Sequence, residues 1–155
     1  MPPAPEPDSA GFLLALIGVA VAGRFARRLD PLGLEPRQVG LMRAVAATQG
    51  QSQQSLGERL RIPPSRMVTL VDDLERRNVV ERRRNPADRR AHALYLTDAG
   101  QRLLTRVMCL AGEHEAEVCA ALSGPEHDQM VALLRQVASN LGLLDPASLD
   151  SAPPE

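Results

Sequence analysis

Between Arg59 and Arg90 the chain carries ten arginines against five acids, a local charge of +5 in a 155-residue protein whose total is −1, which leaves −6 elsewhere. A guanidinium offers a planar fork of donors that pairs with phosphate or with O6 and N7 of guanine, so this segment suits a polyanionic partner. Two groups within it have the spacing for such chemistry. Ser65, Arg66 and Thr69 follow Pro63-Pro64 within one helical turn, and Arg82, Arg83, Arg84, Arg89 and Arg90 flank the turn Asn85-Pro86-Ala87-Asp88. All 18 basic residues are arginine. GC-rich codon usage accounts for the missing lysine but not for the clustering.

Other reactive residues point to no catalytic site. The sequence has no glycine-rich phosphate loop, nucleophile elbow or HExxH string. Glu113, His114 and Glu117 fall within about one helical turn, but neither they nor His92 and His127 have metal-ligand spacing with the cysteines, and they read as a solvated acidic helix face. No metal or cofactor is expected. Cys109 and Cys119 lie on one predicted helix, about 15 Å apart at 1.5 Å per residue, too far for an internal disulfide. A reduced, cytoplasmic setting fits them. The apolar run from Gly11 to Gly23 is about 13 residues, short of the roughly 20 that a membrane helix needs, and acids rather than bases precede it, so neither a membrane partner nor a signal peptide is expected.

The elements that must hold these residues follow from periodicity and punctuation. Phe12, Tyr95 and Phe25 are the only aromatics, and a Leu, Val and Ala core suits packed helices. Ser9 caps a helix to about Leu29 that is apolar on nearly every side, which requires cover from a second subunit. Glu35-Pro36 opens a second helix and Ser52 caps a third. Pro64 starts a fourth, whose buried face is Met67, Leu70, Val71 and Leu74 and whose left-handed stop is Asn78. The period then changes: strands over 79–82 and 91–96 flank the Asn85–Asp88 turn. Thr97-Asp98 caps a long helix, and Ser123-Gly124-Pro125-Glu126 has capping-box form for a last one.

The predicted order is α-α-α-α-β-β-α-α, a mainly α fold in which residues 35–97 form a winged helix-turn-helix. A helix about 10–12 Å across enters the major groove with its N-terminal residues at the base edges, while a hairpin arginine reaches phosphate or the minor groove. Ser65, Arg66 and Thr69 are therefore candidate base readers, and Arg82, Arg83, Arg84, Arg89 and Arg90 candidate wing contacts. Residues 1–8 and 143–155 read as disordered tails. The rival function is a dimerisation or adaptor module that uses its winged helix for protein contacts and has no salt-dependent affinity for duplex DNA.

The run Asn85-Pro-Ala-Asp-Arg-Arg-Ala91 with Leu94-Tyr-Leu-Thr-Asp-Ala-Gly100 resembles the wing and following helix start of the MarR family of bacterial transcription regulators. Leu70 to Arg82 resembles the end of that family's recognition helix and its first wing strand. The likeness spans about residues 10 to 142. It implies a homodimeric repressor, with residues 9–34 and 98–142 as its helical dimerisation region, on a pseudo-palindromic operator in double-stranded DNA, with Asp88 orienting an arginine, Arg90, into the minor groove. It also implies a pocket between dimer helices and winged helix for a lipophilic or aromatic-acid effector, where Phe25, Met42 and Arg43 are the candidate lining. Thr69 and Asp73 stand where family members often carry arginine.

Overall fold

Local capping decides where each helix begins in the computed structural model, which describes residues 9–84 and 92–143. The Ser9 hydroxyl accepts the Phe12 amide at 3.3 Å and starts α1 (Ala10–Leu29). After it the chain makes a single 3-10 turn, Asp30–Leu32, ended by Gly33 in the left-handed region at φ 61°. Glu35 and Gln38 form a reciprocal capping box that opens α2 (Pro36–Ala47). Ser52 caps α3 (Gln53–Arg59) by accepting the Ser55 amide at 3.1 Å. Pro64 occupies the first turn of α4 (Pro64–Arg76), where its missing N–H costs nothing. Asn78, at φ 55°, turns the chain into β1 (Val80–Arg84).

β1 pairs antiparallel with β2 (His92–Leu96) in the register Val80 to Leu96 and Arg84 to His92. Residues 50–52 lie along the other edge of β2: Gly50 donates to the Leu94 carbonyl, Leu94 donates to that of Gln51, and Ser52 bridges Ala93. That third extended segment is too short to have a periodicity of its own and has no counterpart in the sequence reading. β1 begins one residue later than expected and runs on to Arg84, while Ala91, the expected first residue of the second strand, lies outside the described residues. Thr97 then caps α5 (Asp98–Val118) by accepting the Gly100 amide at 2.9 Å. A second capping box, Ser123 with Glu126, opens α6 (Gly124–Asn140), and those hydrogen bonds hold the Glu126 carboxyl below the usual carboxylate range. The observed order of six helices and one hairpin is the predicted one.

The described residues fall into two compact units that divide after His114. The first has a core of aliphatic side chains from α1 to α5, including Leu29, Leu41, Val45, Leu56, Val71, Leu74, Leu94 and Val107. Only the C-terminal end of α1 joins it: Leu29 is buried and Phe25 packs at its edge, whereas Phe12, Leu16, Ile17 and Val19 are exposed. By length and composition the stretch Ala10–Leu32 is apolar enough to cross a membrane, with a mean hydropathy of 1.6 in its most apolar window. The expectation of a run too short for this counted only to Gly23, while the helix continues for six more residues through Leu29. The second unit holds the end of α5 and all of α6, whose Leu133, Leu134 and Val137 are exposed, as is Leu141 at its C-cap.

Candidate nucleic-acid interface

The amphipathic pattern of α4 sets which side chains face outward at its start. Met67, Leu70, Val71 and Leu74 are buried, and Ser65, Arg66, Val68 and Thr69 are exposed on the opposite side. Pro63 supplies no side-chain cap, so the first amides of α4 are met by no capping oxygen from that residue. The Thr69 hydroxyl donates to the Ser65 carbonyl at 3.2 Å, which leaves its lone pairs to accept from a ligand. The three predicted reader residues thus share one exposed helical turn.

Long-range polar contacts fix the attitude of α4. Gln38 of α2 donates to Asp73 Oδ2 at 2.6 Å. Arg77, just past the helix end, donates to the carbonyls of Gly33 at 2.7 Å and Leu32 at 2.8 Å. Arg59 at the end of α3 donates to the Ala44 carbonyl at 3.0 Å and so closes the C-terminus of α2. Asp73 thereby ties α4 to α2.

The wing arginines divide by environment. Arg82 turns inward, its side chain 18% exposed, and bonds Asp72 and Glu75 of α4 at 2.5 Å each and Gln53 of α3 at 3.2 Å. Partial burial alone would lower its pKa, but the bonds and charges of Asp72 and Glu75 outweigh that and hold the guanidinium above the ordinary arginine value. In the single chain the fork of this expected wing contact is occupied by two carboxylates and an amide, and it joins β1 to α3 and α4. Arg83 pairs with Glu81 and lies 4.4 Å from the centre of the Tyr95 ring, with its side chain largely in solvent. Arg84, at the free end of β1, is exposed beside exposed His92. Asp88, Arg89 and Arg90 lie outside the described residues, as do both predicted tails except Leu143.

The three candidate effector residues do not converge. Met42 is fully buried in the core, where neighbouring aliphatic side chains leave it no accessible surface. Phe25 stacks on His114 at 5.6 Å between ring centres. His114 is itself buried, and among the described residues neither of its ring nitrogens has a hydrogen-bond partner. Arg43 is exposed and lines an open groove of about 480 Å³ between α2 and α5 with Gly40, Ala44, Leu104 and Met108. The sequence reading also missed a grouping of Glu115, Cys119 and His127, whose only sequence signal is the four-residue spacing of the first two.

Comparison with known proteins agrees with this architecture. The MarR family profile matches residues 32–91. A transcriptional regulatory protein of Thauera aromatica is 28% identical over 128 residues, 82% of this chain and 77% of that protein. An HTH-type transcriptional repressor of Mycobacterium bovis is 25% identical over 130 residues, covering 84% and 94% of the two chains. Among solved structures, the transcriptional repressor CouR bound to a 23-mer DNA duplex superimposes with a TM-score of 0.77 at 28% identity, covering 88% of this chain and 99% of that one. A MarR family transcriptional regulator from Rhodococcus sp. RHA1 gives 0.76 at 27% identity, with 88% and 96% covered. Fold and exposed helical turn define a winged helix-turn-helix transcription regulator. Over residues 32–91 the chain is similar to the MarR family.

Proposed function

We propose that two copies of this chain form a non-enzymatic, cytoplasmic repressor that binds an inverted repeat in double-stranded DNA. The observation that carries this reading is the exposed first turn of α4, which offers Ser65, Arg66 and Thr69 together while Met67 and Leu70 anchor it from behind. Arg66 reads a base, Ser65 and Thr69 supply shorter polar contacts, and Arg83 and Arg84 hold phosphate beside the wing. Asp88, Arg89 and Arg90 complete the wing, with Arg90 in the minor groove. Residues 9–34 and 98–142 make the dimerisation region. CouR, similar along nearly its whole length, is bound to a DNA duplex in its solved structure, which supports the partner assigned here. For an effector, the α2–α5 groove with Arg43 above Leu104 and Met108 suits an anion with an apolar ring.

The test begins with selection of bound sequences from random duplexes, which yields an operator. Wild type and Arg66→Ala are then titrated against that operator and a scrambled duplex at one salt concentration. A base contact carries sequence information and a phosphate contact does not. The variant is expected to lose about 1–3 kcal/mol per half-site on the operator and much less on the scrambled duplex. Equal losses on both assign Arg66 to phosphate. No salt-dependent binding by the wild type removes the DNA reading and leaves the adaptor.

A further inference from the structure

The end of α5 and the start of α6 bring three chemically different donors to one place. Glu115 and Cys119 are four residues apart and so share one side of the helix end. The Cys119 amide continues the helical bonding by donating to the Glu115 carbonyl at 2.9 Å. His127 enters from α6. Its Nε2 lies 2.9 Å from Glu115 Oε1, Cys119 Sγ lies 3.5 Å from the same oxygen, and the donor atoms of all three residues fall within 4.8 Å of one another.

This triangle is close to what a metal requires. A tetrahedral zinc ion, with bonds of about 2.0–2.3 Å, sets its ligand atoms roughly 3.3–3.7 Å apart. Side-chain rotation alone spans the difference from the distances found. Thiolate and imidazole favour zinc-like ions over magnesium or calcium, which take oxygen ligands. The surroundings also suit a metal. Asp128 Oδ1 stands 3.5 Å from His127 Nδ1, where a carboxylate orients the ring and leaves Nε2 as the ligating nitrogen. The neighbouring Glu126 is already engaged by the Ser123 amide and hydroxyl at 2.8 and 2.6 Å, and that capping box fixes the turn that presents His127.

We propose that Glu115, Cys119 and His127 form a zinc-binding site that staples the end of α5 to the start of α6, with water in the fourth position. On binding, the Cys119 thiol gives its proton to solvent as the Zn–S bond forms, and the imidazole and carboxylate donate lone pairs without redox change.

The test uses the full-length protein stripped with a chelator and titrated with Co²⁺, a spectroscopic substitute for zinc. One equivalent per chain is expected to produce a near-ultraviolet thiolate-to-cobalt band with the visible bands of a tetrahedral ion, and Zn²⁺ is expected to displace it. Cys119→Ser should abolish the near-ultraviolet band, Cys109→Ser should keep it, and His127→Gln should weaken cobalt binding more than tenfold. Zinc should raise the melting temperature of wild type and leave that of His127→Gln unchanged, a second readout should the cysteine variant fail to fold. Absence of a cobalt band in folded wild type overturns the site, as does a band that survives Cys119→Ser or a zinc response retained by His127→Gln.

Discussion

Arginines of one sequence cluster do three different jobs here, and neighbouring side chains decide which. Arg59 and Arg77 close backbone carbonyls, Arg82 clamps three elements, and Arg66 and Arg84 face solvent. The distinction gives Arg82 a testable signature. Hydrogen bonds to charged groups contribute about 1.5–3 kcal/mol each, but Asp72 and Glu75 are half exposed and recover hydration when the guanidinium is removed. Arg82→Ala is therefore expected to cost about 1–2 kcal/mol in urea unfolding, while the slope of log affinity for duplex DNA against log salt stays unchanged. A phosphate contact would behave oppositely, since one lost in each subunit of a dimer lowers that slope by about 2. A reduced slope with unchanged stability would return Arg82 to the DNA. Sequence spacing alone could not separate these cases, because Asp72, Glu75 and Gln53 reach Arg82 only after the wing folds back on α3 and α4.

At the scale of elements, what was legible is what is local. Ser9, Ser52 and Ser123 cap helices that start one residue later, and Asn78 takes the left-handed turn expected of it, because each outcome depends on a few neighbouring residues. The pairing of residues 50–52 with β2 and the meeting of Glu115 with His127 depend on distant partners and left no periodic trace. The junction of β2 with α5 joins both kinds. Thr97 is a readable cap, but its hydroxyl also donates to the Asn78 carbonyl at 2.6 Å, tying the helix start to the end of α4. Gly100 is needed for a reason invisible in the sequence: a Cβ there would stand 2.0 Å from the Val79 carbonyl oxygen and 2.9 Å from its carbon. Backbone on one side and helix on the other leave no room to yield. Gly100→Ala is accordingly expected to destabilise the protein by about 3 kcal/mol or more, measured by urea unfolding, and to loosen the wing from the helix start. A loss below about 1 kcal/mol would mean that α5 can shift away from β1 without penalty.

For the whole molecule the deciding feature is α1, a 20-residue helix of which only the last turn or two reaches the core. Val19 is 77% exposed, with Phe12, Leu16 and Ile17 exposed on the turns before it. Apolar surface of that extent on a helix calls for cover, and in the proposed dimer a second copy of the same helix would provide it with matching chemistry. A two-fold dimer would also let one short helix select the proposed operator, since two such helices about 34 Å apart would address half-sites roughly 10 bp apart on one face of B-DNA. Light scattering at micromolar concentration is expected to give twice the 16.8 kDa chain mass. Val19→Glu separates assembly from folding, because a residue so exposed in the single chain contributes little to its core. The variant should keep its helical circular dichroism, run as a monomer, and lose operator affinity to the level of scrambled DNA. A wild-type mass of one chain would remove the dimer and leave the apolar helix to another partner. A Val19→Glu variant that stays dimeric and binds normally would place the interface elsewhere, with the exposed Leu133 and Val137 of α6 and Leu141 at its C-cap the next face to substitute.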